Sequence, residues 1–368
     1  MSKVLLGDVA VEHKETCKGS KKGYPIVGLE HLIPEEITLT AWDEGSENTF
    51  TKMFRKGNVL FGRRRAYLKK AAVAPFDGIC SGDITVIEAK PDRILPELLP
   101  FIIQNDALFD FAVGKSAGSL SPRVKWEHLK NYEFELPDMN KQSELATLLW
   151  AMDETKKSYQ KLIAATDELV KSQFMEQFGG REKGCYCTLE ECCVLVTGGS
   201  TPSMKREDYY GGNVPFIKSG DVKADYVSSG ALWLTQRALA ETTARYVPTG
   251  TVIVVTRSGI LKHDLPVAIT ANPVVINQDL KAFEPKPEFL PQYLAWAIRS
   301  KEDTLLSKTR AMTVDNIASR ELYEIPVMIA NIGEQERFAA FVQQSDKSKF
   351  LALLNRFVNI PIEAFFHL

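Results

Sequence analysis

GNVLFGRRRAYLK at residues 57–69 and GTVIVVTRSGILK at residues 250–262 are two copies of one segment. Aligned without a gap, they share a glycine, a valine, an arginine, a leucine and a lysine, and their apolar positions coincide. The shared pairs are Gly57/Gly250, Val59/Val252, Arg64/Arg257, Leu68/Leu261 and Lys69/Lys262. A solenoid repeats at a period of roughly 20–50 residues. A period of about half the chain therefore predicts a tandem duplication of one domain.

The repeat extends on both sides of these segments at an offset of 189 to 193 residues. PIVGLEHL (25–32) parallels PFIKSGDV (215–222), ELPDM (135–139) parallels EIPVM (324–328), and Gln142 to Asp153 parallels Gln335 to Asp346. Because a length of 368 residues itself suggests two or three domains, the chain is predicted to hold two similar units.

Composition narrows the class of protein. The 45% hydrophobic content is ordinary for a globular chain, and no apolar run reaches the roughly 18 residues of a membrane-spanning helix. The first residues, MSKVLLGDVA, lack the apolar core of a signal peptide. The six cysteines divide unevenly between the repeats, which indicates reduced thiols and a cytoplasmic location. A net charge of −2 means that any binding to nucleic acid depends on where the charges lie.

One stretch concentrates positive charge. Eight basic residues and no acidic one lie between Lys52 and Lys70, and Gly57 and Gly62 interrupt residues typical of strands. The pattern predicts a strand, a basic turn and another strand. Two interpretations follow: a solvated hairpin edge whose charges prevent aggregation, or a loop that contacts DNA phosphates and guanine edges.

Each unit has the same predicted order of elements. Short strands rich in Gly and Pro precede a helical segment at 95–113 or 287–307. A polar loop follows at 116–129 or 308–322, and a short strand then ends at Pro137 or Pro326. A long helix begins a few residues later in both copies.

The first long helix is predicted over 141–178, which contain no Pro or Gly, with Asn140 as its N-cap. A stripe alternates at spacings of four and three, as in a coiled coil: Leu145, Leu149, Met152, Lys156, Tyr159, Ile163, Thr166, Val170 and Gln173. The second helix is predicted from Glu334 to about Asn359. The fold class is therefore α+β, with two α/β domains joined by two long antiparallel coiled-coil helices of roughly 55 Å. The alternative is that each helix packs on its own domain.

Three segments resemble the specificity subunit of type I restriction–modification systems. VTGGSTPSMKREDYYGGNVPFIKSGDV (196–222) is similar to the family's glycine-threonine-proline opening, and GTVIVVTRSG (250–259) to its strand–Arg–Gly turn. EIPVMIANIGEQERF (324–338) is similar to its helix entry. The first unit instead has CKGSKKGYPIVGLE (17–30) at the opening, which leaves the DNA sequence that it recognises open.

The resemblance implies a non-catalytic DNA-recognition protein without a cofactor. Each unit, a target-recognition domain, would bind one half of a bipartite target on double-stranded DNA, and the helices would set the gap. Two DNA methyltransferase (modification) subunits would dock on the chain, and restriction subunits would join them. The implied domains are residues 1–138 and 181–330 for recognition, with the spacer helices at 139–180 and 331–368.

The residues predicted to contact DNA are basic or hydrogen-bonding side chains in the loops of both units. They are Lys52, Arg63, Arg64, Arg65, Lys69, Lys70, Ser121, Arg123, Lys125, Ser200, Thr201, Lys205, Lys218, Arg257, Ser258, Lys262, Lys308, Arg310 and Asn316.

No catalytic or metal site is predicted. Gly114-Lys115-Ser116 resembles the end of a phosphate loop, but Phe109 stands where that motif needs glycine. The cysteines between 185 and 193 lack C-x2-C spacing and a nearby histidine, which argues against zinc. A second function remains open: a pseudo-symmetric scaffold that joins two partners without touching DNA, which the near-neutral charge favours.

Overall fold

The computed structural model describes residues 2–44, 49–118, 120–180, 184–310 and 316–345. The chain divides into two units, and the boundary between them falls between Tyr159 and Gln160. The boundary lies within a helix, so each unit is described by itself.

The first unit consists of a run of short strands, then short helices, and finally a strand that leads into a long helix. Its strands are β1 (Ser2–Leu5), β2 (Ala10–Glu12), β3 (Ile26–Val27), β4 (Lys52–Phe54), β5 (Val59–Gly62), β6 (Ala71–Val73), β7 (Gly78–Cys80), β8 (Ile84–Ala89) and β9 (Glu133–Leu136). Its helices are α1 (Leu6–Val9), α2 (Leu99–Ile103), α3 (Asp106–Gly114), α4 (Trp126–Leu129) and the start of α5 (Met139–Phe178).

Two sheets form the body of this unit. The first has the strand order β2-β8-β5-β6, and the second the order β3-β7-β4. Neighbours are antiparallel except for β3 and β7, which run parallel. The residues of β5 are buried, and α2 packs against this strand and β6. The core is therefore continuous from the first sheet to the helices.

The second unit repeats this plan with additions. Its strands are β10 (Tyr186–Thr188), β11 (Cys193–Gly198), β12 (Tyr210–Ile217), β13 (Tyr226–Val227), β14 (Leu232–Leu234), β15 (Tyr246–Val247), β16 (Val252–Val255), β17 (Val267–Thr270), β18 (Val274–Ile276), β19 (Leu280–Pro285) and β20 (Pro326–Met328). Its helices are the end of α5, α6 (Gln236–Glu241), α7 (Pro291–Arg299), α8 (Glu302–Arg310), α9 (Ser319–Tyr323) and α10 (Ile332–Gln344).

The strand orders confirm the duplication. The second unit has sheets β11-β19-β16-β17-β13 and β14-β12-β18-β15, which contain the two orders of the first unit with one extra strand each. The parallel pair recurs as β12 and β18. A two-stranded ladder joins the first and last strands in both units, as β1 with β9 and as β10 with β20. The helical segments predicted at 95–113 and 287–307 are each broken into two helices.

Helix α5 is one continuous element of 40 residues. Asp138, and not the predicted Asn140, caps it, because the Asp138 carboxylate accepts the N–H of Lys141 at 3.0 Å. Buried side chains concentrate towards its two ends. Leu145 and Leu149 pack in the core of the first unit, whereas Phe174 and Phe178 pack in the core of the second. Each end of the helix is thus anchored in a different unit.

A buried glutamine anchors the long helix of each repeat. Gln142 on α5 accepts the N–H of Leu95 at 2.8 Å and donates to the Pro137 carbonyl at 2.9 Å. Gln335 on α10 makes the equivalent bond with the N–H of Leu290 at 2.8 Å. It donates to two carbonyls, those of Glu288 and Ala330. The end of the predicted second spacer helix, from residue 346 onward, lies outside the described residues.

None of the described helices is both long enough and apolar enough to span a membrane.

Candidate functional site

In the first unit the basic turn meets the polar loop through backbone hydrogen bonds. Arg65 donates its N–H to the Pro122 carbonyl at 2.8 Å, and Val124 donates to the Arg63 carbonyl at 3.0 Å. These bonds form an isolated bridge between Arg64 and Arg123. We call residues 63–65 and 122–124 the first arginine junction. It joins segments that are distant in sequence, so two arginines come to lie side by side.

Asp83 lies between these two arginines. Its carboxylate accepts from Arg123 Nε at 2.7 Å and Nη2 at 3.4 Å, and from Arg64 Nη1 at 3.3 Å. Arg64 Nε also donates to the Ser121 hydroxyl. The Arg123 guanidinium, with a smaller contribution from Arg64, lowers the pKa of the Asp83 carboxyl. Two guanidinium groups share one carboxylate, which leaves the cluster with a net positive charge.

The second unit builds the same junction with different side chains. Ile317 donates to the Thr256 carbonyl at 2.9 Å, and an isolated bridge joins Arg257 with Asn316. We call residues 256–257 and 316–317 the second arginine junction. Thr256 donates to the Asp279 backbone carbonyl at 2.8 Å, as Arg63 does to that of Asp83 at 3.0 Å.

The side chains of the second junction leave its arginine open. Asp279 accepts from Asn277 Nδ2 at 2.8 Å instead of binding an arginine side chain. Arg257 is exposed, and it has no ion pair within the part of the chain that the structure describes. Asn316, half-buried, occupies the place that Arg123 has in the first unit. The second junction therefore presents the guanidinium of Arg257, without an ion pair to the described residues, and the carboxamide of Asn316.

The glycine-rich opening of the second unit lies against the same region. Ser200 donates its N–H to the Ile276 carbonyl at 3.1 Å, and the Thr201 hydroxyl donates to Gln278 Oε1. A Cβ on Gly199 would stand only 2.1 Å from the Asn277 carbonyl oxygen, so this approach of two backbones requires glycine. Ser200 and Thr201 are thereby held beside the segment that leads to Asp279.

Much of the basic run at 52–70 is neutralised by acids from other segments. Lys52 is half-buried and pairs with Glu12 at 3.5 Å, and Lys69 pairs with Asp106 at 2.6 Å. Arg55 pairs with Glu15 and Asp77, which raises the pKa of the Arg55 guanidinium. The run itself contains no acidic residue, but the fold places acidic residues from other segments around it.

The other predicted contact residues are spread over both units. Lys70 donates to the Leu29 carbonyl, Lys308 pairs with Glu321, and Ser200 bonds the Thr243 hydroxyl. Arg63 and Lys218 are half-buried, and Ser258 accepts the N–H of Ile260. The side chain of Arg310 lies outside the described residues. The exposed basic residues among those predicted are Arg65, Arg123, Lys125, Lys205, Arg257, Lys262 and Lys308.

Two site residues were missed by sequence reasoning: Asp83 and Asp279. Asp83 directly precedes β8, and Asp279 directly precedes β19, at matching positions of the repeat. The sequence holds one trace of them: SGDIT (81–85) and NQDLK (277–281) share only the aspartate, at an offset (279 − 83 = 196) larger than the one that aligns the two turns. The carboxylate of this shared acid pairs with the turn arginine in the first unit, whereas in the second unit it bonds Asn277.

Two of the cysteines in the second unit lie close together. Cys187 and Cys192 approach with their Sγ atoms 2.9 Å apart, and burial raises the pKa of the Cys192 and Cys193 thiols. No group of three or more ligating side chains with metal-binding geometry occurs among the described residues.

Comparison with known proteins identifies the repeat. The model of the type I restriction modification DNA specificity domain matches residues 4–165 and again 186–356. A type I restriction enzyme specificity subunit from Escherichia coli is 30% identical over 152 residues, which is 40% of this chain and 38% of that protein. Its counterpart from Methanocaldococcus jannaschii is 30% identical over 156 residues, or 41% of this chain and 35% of that protein.

A solved structure shows the same fold. The S subunit of a type I restriction–modification system from M. genitalium superposes with a TM-score of 0.53 at 12% identity, covering 99% of this chain and 95% of that one. The curated relatives align with well under half of their own length. Both family matches together cover nearly all of the sequence, so the chain belongs to the family of type I restriction–modification DNA specificity proteins, with one specificity domain in each repeat.

Proposed function

We propose that this chain is the sequence-recognition subunit of a type I restriction–modification complex in the cytoplasm. Each unit recognises one half of a bipartite target on double-stranded DNA, and catalysis belongs to other subunits. One observation carries the proposal: both units hold an arginine turn against a second loop through an equivalent backbone bridge. Arginine and asparagine side chains meet there, and these are the groups that recognise guanine and adenine edges.

The phosphate contacts of the proposal come from the exposed basic residues around the two junctions. Arg65 lies in the first junction, Lys125 directly follows it, and Arg257 lies in the second junction. Arg65 has a φ of 53°, a left-handed conformation that costs an arginine about 1 kcal/mol or more. An exposed arginine held in this way is typical of a functional loop.

The partners in this proposal are two DNA methyltransferase subunits and, with them, restriction subunits. The recognition domains are residues 1–138 and 181–330, and the spacer consists of antiparallel coiled-coil helices at 139–180 and 331–368. Half-burial of Tyr159, Ile163 and Thr166 on α5 supports a paired helix, because the neighbouring Leu162 is 60% exposed. A face that is covered at coiled-coil spacing needs a second surface against it.

A scaffold that joins two partners without DNA remains the second candidate. The neutralisation of Lys52, Arg55 and Lys69 by acids favours it, because such pairs leave less free charge for a phosphate backbone. The two functions differ in how binding responds to salt. A DNA-recognition protein loses affinity as salt rises, with about 0.9 of a unit of log–log slope for each phosphate contact.

The test is binding of the full chain, alone and with its modification subunits, to a random duplex library. We expect selection of a two-part sequence and a steep loss of affinity between low and moderate salt. Alanine at Arg63, Arg64 and Arg65 together should weaken binding and flatten its salt dependence. Library DNA that emerges unselected, with affinity that does not respond to salt, would establish the scaffold instead.

The spacer has its own test. Four residues inserted after Gln160, beyond the last contact of Lys157 with the first unit, lengthen the helix by about 6 Å and rotate it by little more than one turn. We expect the gap between half-sites to grow by about two base pairs, since DNA rises about 3.4 Å per base pair. A two-residue insertion rotates the covered face by about 200° and should destabilise the protein. An unchanged gap in a folded, active four-residue variant would show that the helix is not a ruler.

A further inference from the structure

We infer that Asp83 is a positioning residue that aims Arg64 and Arg123 at guanine edges in the half-site of the first unit. The inference rests on the proposed DNA-recognition function and names the bases that this surface selects. It depends on how the three side chains are arranged, which differs from the arrangement of an ordinary surface ion pair.

The depth of the three side chains sets their roles. The Asp83 side chain is only 21% exposed, whereas those of Arg64 and Arg123 are 39% and 43% exposed. The Asp83 side chain is thus the least exposed of the three, and both arginine side chains reach the solvent. A carboxylate in this position holds the arginines without standing between them and a ligand.

The hydrogen bonds leave donors free on both arginines. A guanidinium has five N–H donors in a rigid plane. Arg123 uses Nε and Nη2 on Asp83, which leaves Nη1 without a bond to the cluster. Arg64 uses Nε on Ser121 and Nη1 on Asp83, which leaves Nη2. Each fork therefore keeps N–H groups for the O6 and N7 acceptors of guanine, the commonest specific partner of arginine.

The fixed geometry favours base recognition over phosphate contact. An arginine that is already oriented loses little side-chain entropy on binding. The free energy gained from a bidentate hydrogen bond to a base is therefore hardly reduced by ordering the side chain. Its charge is partly compensated by Asp83, so phosphate neutralisation gains less than it would from a free guanidinium. Asp83 thus lowers the contribution of these two arginines to non-specific phosphate binding and raises their contribution to base specificity.

The test compares Asp83→Asn with wild type in selection from a random duplex library and in salt-dependent binding. In Asp83→Asn the arginines lose their shared anchor. We expect guanine preference at one or two positions of a single half-site to fall about tenfold or more. Binding to unrelated DNA should strengthen, with a salt slope steeper by up to about one unit, as a freed arginine finds phosphate.

Asp77→Asn is the matched control, because it removes the same charge from an ion pair with Arg55 in the same unit. It should leave base preference intact. Arg123→Lys keeps the charge but loses the planar fork, so it should lose guanine preference with little change in salt slope. Thermal unfolding of each variant verifies that it folds.

The outcomes separate the two levels of the proposal. If the wild-type chain selects no sequence, the DNA-recognition function itself is wrong. If the wild type selects a bipartite sequence and both Asp83→Asn and Arg123→Lys keep its guanines, the recognition function stands and the inference about Asp83 and its two arginines is wrong. A variant that loses preference evenly across both half-sites would likewise overturn the inference, since a local positioning role cannot reach the other unit.

Discussion

In the first unit the turn arginine, Arg64, shares the Asp83 carboxylate with Arg123. In the second unit the equivalent Arg257 is exposed, and Asp279 is bonded to Asn277 instead. The backbone bonds of the two junctions correspond to each other. The duplication has therefore kept the backbone of the site and varied its side chains, which fits the proposal that the two domains bind different sequences on the same DNA. Mutation of a shared feature should affect both units in the same direction, and mutation of an unshared feature should affect them differently.

The largest expected effect concerns a shared feature, the buried glutamine at the start of each long helix. Gln335→Leu leaves three backbone groups without their partner and should lower the free energy of unfolding by about 3 kcal/mol. Gln142→Leu leaves two and should cost about 2 kcal/mol. Denaturant midpoints of the transition of each unit measure both. Gln160→Leu on the exposed part of α5 is the control, with a change within about 0.5 kcal/mol. Equal, negligible effects in all three would contradict the anchoring role.

The next effect addresses the unshared feature directly. Arg257→Ala should reduce the log–log salt slope of DNA binding by about 0.9, because its exposed guanidinium is free to contact a phosphate. Arg64→Ala should reduce the slope by less than half as much, since Asp83 already compensates its charge. Fluorescence anisotropy of labelled duplex over a series of salt concentrations measures both slopes. Equal reductions of the salt slope in both variants would show that the two junctions do not differ electrostatically.

The smallest effect is a pH dependence confined to the first unit. The pKa of Asp83 is lowered in the folded protein, chiefly by Arg123. Its stabilising contribution is thus present above the unfolded value of about 3.9 and is lost as the pH falls through the folded value below it. Asp83→Asn lacks this contribution at every pH, so the stabilities of wild type and variant should converge on acidification. A difference that stays constant from pH 6 to pH 3 would show that the carboxylate charge has no such role.

The fold could be predicted from the sequence more completely than the site. The repeat of GNVLFGRRRAYLK predicted the duplicated sheets, since a tandem copy must repeat its strand order. The run without Pro or Gly predicted α5, since apolar spacing and helix propensity act locally. The same local signals did not determine where the helix begins. Asp138 replaced Asn140 as the cap because boundaries depend on single hydrogen bonds.

The charge balance of the site could not be predicted in the same way. Glu12, Glu15, Asp77 and Asp106 neutralise residues of the basic run, but they reach it only through the fold. The clamp at Asp83 likewise joins residues 19 and 40 positions apart. Such pairs depend on how strands meet, and no local pattern records that. The shared aspartate in the repeat was the one trace of it in the sequence.

The most direct test of the central claim, that each unit recognises its own half of one target, is an exchange of domains. Residues 1–138 are replaced with the first recognition domain of another member of the family, and the selected or methylated sites of the resulting complex are mapped. We expect one half-site to change completely, while the other half and the gap between them stay the same. A chimera that folds and binds DNA but changes both half-sites, or neither, would contradict it.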